Sequence, residues 1–352
     1  MEVYAGYLEY TDHHVGRIVE ALEKLKILDN TLIFYICGDN GASAEGSING
    51  CFNEMSYFNG LQALETPEYL TARLDKLGGP ESYNHFAVGW ALALDTPYQW
   101  TKQVASHWGG TRNGTVVHWP KGIKAKGEIR SQFAHVIDVA PTVLEAAGLP
   151  QPESVNGIQQ DAIEGVSMLY SFDDAKAPER HETQYFEIFG NRGIYHKGWT
   201  AVTKHKTPWS PMTVKLPAFD DDVWELYSDK DWCQADVLSK QMPGKLHELQ
   251  RQFLIEAVRY KVLPLDDRLL EKLNPDTAGR PVLIKGKSQL LVRGMGRLLE
   301  TCVLNLKNKS HSVTAEIVVP EEGAEGVIIS QGANIGGWSL YAKKGKLKYC
   351  YN

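Results

Sequence analysis

The sequence predicts an α/β protein whose chain passes from a mixed sheet between helices into antiparallel β-structure. Residues 4–27 repeat apolar side chains at helical spacing, and a short apolar run at 31–37 follows an Asp29-Asn30 turn. A helix that leads directly into a wholly apolar strand is typical of a sheet covered on both faces. From about residue 183 the pattern changes to alternating segments separated by glycine turns, which indicates a second, antiparallel part.

The composition is that of an ordinary globular protein of 352 residues, with 43% hydrophobic and 23% charged residues. The net charge of −6 and the lack of a basic block argue against a nucleic-acid partner. No run of 18 apolar residues occurs, which argues against a membrane segment. The five cysteines lack C-x-x-C spacing, so neither a zinc site nor a disulfide framework is predicted. They slightly favour a cytoplasmic location, and a periplasmic one stays open.

The predicted first layer continues beyond the strand at 31–37. Residues 41–101 form a long excursion, with a helix near 66–77, and such excursions often cover substrate sites. A second strand is predicted at 115–120. A helix is predicted to begin at Pro141 and to stop at Gly148, because proline suits a first turn and glycine a helix end.

Residues 183–265 predict a small antiparallel sheet followed by a helix. The sheet turns at Gly190-Asn191 and at Lys197-Gly198, and the helix is strongly amphipathic. The acidic run at 220–222 is predicted to be a solvated loop. Residues 266–290 are predicted to be a linker. Residues 291–352 predict a β-rich domain, in which SVTAEIVVP, EGVIISQG and WSLYAKKGKLKYCY are the strand segments and which we expect to be truncated.

A carboxylate and a carboxamide follow the apolar strand at 31–37 directly. They are Asp39 and Asn40, within the segment TLIFYICGDNGASAEG. Ligands of α/β sheets collect at the carboxyl ends of strands, so the position favours a functional role. Asp and Asn are also common turn formers, and that alternative stays open at this point.

Four segments in this order resemble the sulfatase family, specifically large bacterial arylsulfatases. They are the helix–strand–GDNG unit, TPYQWTKQVASHWGGTR, HVIDVAPTVLEAAG and WELYSD. The resemblance covers nearly the whole chain. It implies an alkaline-phosphatase-like fold, in which residues 1–182 would be the C-terminal part of the catalytic α/β domain.

The resemblance implies roles for three residues. Asp39 and Asn40 match two ligands of a single Ca²⁺, a hard ion that takes oxygen ligands. Lys102 matches a lysine that contacts the sulfate and the leaving oxygen, although six residues separate it from Gly109-Gly110 where five are common in the family. The implied substrate is a small-molecule sulfate ester.

The family's nucleophile, a formylglycine made within a C/S-x-P-x-R motif, has no counterpart in this sequence. The Asp-Asp pair that completes the family's calcium site early in the chain is absent too. We therefore expect a C-terminal portion of an arylsulfatase, inactive by itself, whose partner is the missing N-terminal portion of the same protein.

Two alternatives remain at this stage. One is a phosphodiesterase or phosphonate hydrolase of the same superfamily, against which Asn40 argues, because such enzymes tend to place zinc-binding histidine there. The other is a non-catalytic remnant that binds glycans or a protein partner through its aromatic meander and its β-rich tail.

Overall fold

The computed structural model describes residues 1–210, 214–268, 271–307, 309–333 and 336–351. It divides into two compact units, Met1–Asp267 and Arg268–Asn352. The α-helices of the first unit are α1 (Glu2–Lys24), α2 (Glu54–Phe58), α3 (Pro67–Thr71), α4 (Val88–Asp95), α5 (Trp108–Thr111), α6 (Val139–Ala147) and α7 (Pro243–Arg259). Its strands are β1 (Ile33–Ile36), β2 (Thr115–His118), β3 (Ser154–Val155), β4 (Ile158–Gln159), β5 (Thr183–Ile188), β6 (Asn191–His196), β7 (Trp199–Thr203) and β8 (Trp224–Ser228).

The first layer contains the predicted helix and both predicted strands. β1 pairs antiparallel with β2, with Phe34 opposite Val117. The expectation of a strand covered on both faces is wrong for the residues described, because β1 is only partly buried and Ile36 is 38% exposed. α1 likewise buries none of its residues, although its apolar side chains follow helical spacing. The apolar pattern predicted both elements correctly. Their apolar faces are nevertheless largely exposed among the described residues.

The four-stranded antiparallel sheet is the best-covered part of the first unit. Its order is β5-β6-β7-β8, and its hairpins turn at Gly190 and at Lys197-Gly198, as the sequence predicts. α7 packs its apolar face on this sheet, where Leu249 and Phe253 meet Ile194 and Leu226. Burial of such side chains stabilises a fold by roughly 1.5–3 kcal/mol each. The prediction of a small antiparallel sheet with a helix is therefore confirmed.

The second unit contains the helix α8 (Pro275–Ala278) and the strands β9 (Gly326–Ala333), β10 (Gly336–Lys343) and β11 (Lys346–Tyr351), which pair in that order. The strands predicted from EGVIISQG and WSLYAKKGKLKYCY are confirmed. The strand predicted from SVTAEIVVP is wrong, because residues 312–320 pair with no other segment in the described part of this unit and Val318 is 94% exposed. High β-propensity without a partner strand does not form a sheet. The four-part domain division stays a prediction.

Among the described residues, no helix is long enough and apolar enough to span a bilayer.

A buried carboxylate fixes the start of α6. Asp138 is fully buried and accepts hydrogen bonds from the amides of His135 and Val166, at 2.8 and 2.7 Å. The His181 ring donates to the same carboxylate through Nδ1 at 2.8 Å. Burial alone would lower the pKa of His181, but the Asp138 carboxylate outweighs it and the pKa is raised. Burial, together with the charge of His181, lowers the pKa of the neighbouring His135.

The raised pKa of His181 predicts a pH-dependent cost for the substitution His181→Gln. The stabilisation from protonated His181 is complete below the ordinary histidine pKa of about 6.5 and is lost as pH rises through the raised folded-state value. We therefore expect His181→Gln to reduce the free energy of unfolding more at about pH 5.5 than at about pH 9. Urea unfolding of wild type and variant at both pH values measures the difference.

His247→Gln is the matched control, because His247 lies exposed on α7 and bonds only Gln250 among described residues. Its cost at the two pH values gives the reference for an exposed histidine without a carboxylate partner among the described residues. A larger cost of His181→Gln at the higher pH would contradict the prediction.

Candidate functional site

The loop after β1 carries two side chains, those of Asp39 and Asn40, whose oxygen atoms have no bonding partner among the described residues. The strand ends at Ile36, Gly38 adopts a φ of +104°, and Asp39 and Asn40 follow. Asp39 is exposed and Asn40 is half-buried. Within the described ranges, neither side chain has a hydrogen-bond or ion-pair partner. A carboxylate and a carboxamide are thus adjacent and free to accept a ligand.

This loop packs directly on the segment that carries Lys102. The Gly41 amide donates to the Gly110 carbonyl at 3.1 Å, and the Lys102 amide donates to the Ala42 carbonyl at 3.1 Å. A Cβ atom at Gly41 would lie 1.6 Å from the Gly109 carbonyl oxygen, so the approach requires glycine. The tertiary structure therefore joins the loop of Asp39 and Asn40 to the Lys102 segment.

Lys102 is held in an ion pair. Its Nζ lies 3.0 Å from Oε2 of Glu45, and the lysine side chain is 33% exposed while that of the glutamate is 16% exposed. Glu45 also accepts hydrogen bonds from Ser43 Oγ at 2.8 Å and from Gln103 Nε2 at 2.9 Å. Burial alone would raise the pKa of Glu45, but the bonds from Ser43, Lys102 and Gln103 lower it on balance. A fully solvated surface lysine is therefore not what the structure shows.

His107 is a buried structural residue of the same segment. It is 1% exposed, and its ring bonds Ser106 Oγ through Nδ1 and Glu225 Oε2 through Nε2, both at 2.9 Å. Glu225 lies on β8 and also accepts from the Tyr227 hydroxyl at 2.7 Å. The bond from His107 is the chief reason that the pKa of Glu225 lies below its ordinary value. His107 thus ties the Lys102 segment to the four-stranded sheet.

Comparison with known proteins finds similarity to sulfatases. The sulfatase family model matches residues 1–149. An uncharacterised sulfatase of Schizosaccharomyces pombe is 29% identical over 278 residues, which are 78% of this chain and 46% of that protein. The arylsulfatase of Klebsiella aerogenes is 26% identical over 193 residues, 54% of this chain and 37% of that protein.

The chain is similar to sulfatases, and its residues 1–149 match the sulfatase family model. It spans less than half the length of the two curated sulfatases that it matches. A solved structure associated with glycosaminoglycan metabolism by Bacteroides thetaiotaomicron covers 71% of this chain and 43% of its own, with 19% identity and a TM-score of 0.45. The α/β class predicted from the sequence is confirmed, and the family agrees with an alkaline-phosphatase-like fold.

The side chains of Asp39 and Asn40 offer the oxygen ligands that a hard divalent cation prefers. Ca²⁺ takes six to eight oxygen ligands, and Asp39 and Asn40 offer unbonded carboxylate and carboxamide oxygens next to each other. In the part of the chain that the structure describes, no cluster of three or more His, Cys, Asp or Glu side chains could hold a metal ion. Asp39 and Asn40 are therefore suited to be two ligands of a site, and these residues supply a single carboxylate to it.

Sequence reasoning missed the partners of Lys102. Glu45 lies 57 residues before Lys102, and Gln103, which follows the long excursion at 41–101, bonds the same carboxylate. No spacing rule connects residues that far apart. The one available signal is that Glu45 follows Asp39-Asn40-Gly41 within the same polar loop, GDNGASAEG.

Proposed function

We propose that this chain forms part of an arylsulfatase, which hydrolyses sulfate esters with the help of Ca²⁺ and a formylglycine nucleophile. The observation that carries the proposal is the contact between the loop of Asp39 and Asn40 and the segment of Lys102. Through backbone hydrogen bonds of Gly41 and Ala42, that contact packs the loop that carries Asp39 and Asn40 on the segment that carries Lys102. The match of residues 1–149 to the sulfatase family model and the similarity to the Klebsiella arylsulfatase support the reaction class.

Asp39 and Asn40 would hold the calcium ion through their side-chain oxygens. When bound, the ion supplies positive charge that orients and polarises the sulfate group. A neutral carboxamide beside a carboxylate keeps the ligand set oxygen-only, which suits Ca²⁺ and disfavours Zn²⁺. Asn40 therefore favours a sulfatase over a zinc-dependent phosphodiesterase or phosphonate hydrolase.

Lys102 would bind the sulfate ester at its bridging oxygen. As the S–O bond breaks, negative charge develops on that oxygen, and a fixed ammonium stabilises it in the transition state. The Glu45 pair keeps the Lys102 ammonium at a defined position beside the loop. A free surface lysine would have to lose its side-chain freedom at this step, which costs up to about 2 kcal/mol.

The nucleophile completes the proposal. The 352 residues contain no C/S-x-P-x-R motif, so in this proposal the formylglycine comes from polypeptide outside this sequence. The chain by itself would then bind Ca²⁺ weakly and would not turn over substrate. The partner that it needs is the N-terminal portion of the same protein.

Calcium titration of the 352-residue chain tests the site. We expect a Kd on the order of 1 mM or weaker, because one carboxylate carries the site, and we expect Asp39→Asn to weaken binding about tenfold or more. Isothermal titration calorimetry measures both. Asp12→Asn is the control, because Asp12 is an exposed carboxylate on α1. Equal affinity of the two variants would contradict a calcium site at Asp39.

Hydrolysis assays test the rest of the proposal. We expect no calcium-dependent release of 4-nitrophenol from 4-nitrophenyl sulfate or from bis(4-nitrophenyl) phosphate by this chain alone. Turnover of the sulfate ester would show that the nucleophile is within these residues. Turnover of the phosphate diester alone would favour the phosphodiesterase alternative.

A further inference from the structure

Glu45 engages only part of the Lys102 ammonium. An ammonium group carries three N–H donors, and Glu45 Oε2, at 3.0 Å, is the single acceptor for Nζ among the described residues. The lysine side chain remains 33% exposed. The ammonium therefore has one fixed contact, and its other N–H donors have no acceptor among the described residues.

Glu45 is itself held from two directions. Ser43 Oγ donates to Oε2 at 2.8 Å and Gln103 Nε2 donates to Oε1 at 2.9 Å, so both carboxylate oxygens are fixed. These bonds, with the charge of Lys102, outweigh burial and lower the pKa of Glu45, which keeps the carboxylate charged at neutral pH. A carboxylate with both oxygens bonded can set the direction of its cation.

The backbone around Gln103 and Lys102 is fixed as well. Gln103 adopts a φ of +72°, and its carbonyl accepts a hydrogen bond from Asn191 Nδ2 at 2.8 Å. Asn191 is buried at the start of β6. The Lys102 amide bonds the Ala42 carbonyl on the other side. The segment is thus tied both to the four-stranded sheet and to the Asp39 loop.

We propose that Glu45 is a positioning residue, which aims the Lys102 ammonium so that its free N–H groups meet an oxygen of a sulfate group. This proposal rests on the proposed function, because it deepens the role of Lys102 in that site. The contrasting arrangement is a block, in which Glu45 competes with sulfate for the ammonium. The two arrangements predict opposite effects of removing the Glu45 charge.

The test measures how fast the Lys102 amine is acetylated in the 352-residue chain. Pulse acetylation with acetic anhydride, followed by peptide mass spectrometry, gives the rate at Lys102 relative to exposed Lys126. We expect Glu45→Gln to raise the relative rate about threefold, as loss of a partly exposed ion pair allows. Sodium sulfate should protect Lys102 in the wild type, with sodium chloride of equal ionic strength as the reference.

The sulfate concentration for half-protection decides between positioning and blocking. We expect it to rise about fivefold in Glu45→Gln, because the ammonium is no longer held in place. Glu65→Gln is the matched control: Glu65 is also buried, bonds the amides of Phe52 and Asn53, and has no cation partner among described residues. It should leave both readouts unchanged, and circular dichroism shows that each variant is folded.

Three results would overturn the inference. An unchanged half-protection concentration in Glu45→Gln would reject positioning and leave the contact of Lys102 with sulfate intact. A lower concentration would show that Glu45 blocks sulfate. Absence of protection in the wild type would reject both this inference and the role of Lys102 in the proposed function.

Discussion

Gly41→Ala is expected to destabilise the protein by about 3 kcal/mol or more, and to separate the Asp39 loop from the Lys102 segment. The added Cβ would lie 1.6 Å from the Gly109 carbonyl oxygen and 2.8 Å from its carbon. Both atoms belong to the backbone, so no side-chain rotation relieves the clash. The bond from the Gly41 amide to the Gly110 carbonyl would be lost with the movement.

Gly109 has no room to retreat from such a clash. A Cβ on Gly109 itself would lie 2.2 Å from the Gln99 carbonyl oxygen, which shows how tightly the next layer of backbone is packed. The loop after β1 must therefore move instead, and with it Asp39 and Asn40. We expect calcium affinity to fall together with stability in this variant.

Urea unfolding followed by tryptophan fluorescence measures the effect of Gly41→Ala. Gly6→Ala is the control, because a Cβ on Gly6 meets nothing within 4 Å and the residue lies within α1. Alanine is the better helix former, so Gly6→Ala should stabilise the helix by up to about 1 kcal/mol. A cost of Gly41→Ala below about 0.5 kcal/mol would show that the loop does not pack on Gly109 as described.

Asp222→Ala is expected to cost about 3–5 kcal/mol, because it removes the counter-charge of a buried arginine. The Asp222 side chain is 1% exposed and accepts from Arg192 NH1 at 2.6 Å and from His205 Nδ1 at 2.9 Å. Arg192 and His205 are buried too. Without the carboxylate, the hydrogen bonds that the guanidinium keeps among the described residues are those to the carbonyls of Gly190 and Phe219. Breaking one partner of a buried pair leaves an uncompensated charge.

The acidic run supplies its own controls. Asp220 and Asp221 are exposed, so alanine at either position should change the free energy of unfolding by less than about 0.5 kcal/mol. Urea unfolding of the three alanine variants measures the change in the free energy of unfolding at each position. Equal effects at the three positions would contradict the buried pair. The same observation corrects the predicted solvated loop: it holds for Asp220 and Asp221 and is wrong for Asp222, whose partners lie on β6 and beyond β7.

Elements with local causes were predictable from the sequence. The hairpins of the four-stranded sheet follow from Gly190 and from Lys197-Gly198, whose φ values are positive as such turns require. α6 ends at Gly148, which is left-handed, and α7 follows its apolar period. Asp39 and Asn40 were predicted as site residues for a similar reason, since a polar pair directly after an apolar strand is visible in the chain itself.

What only the tertiary structure decided is which polar groups meet, because pairing depends on positions distant in the chain. The sequence by itself determined the α/β class, the meander with its helix, and the strand that precedes Asp39. It did not determine that Glu45 holds Lys102, that His107 joins Glu225 across 118 residues, or that Asp222 neutralises Arg192. Residues 312–320 show the same limit: their β-propensity is high, but they pair with no other strand in the described part of the second unit. Propensity and periodicity are local, whereas a buried charge is stable only where the fold brings its partner within hydrogen-bond distance.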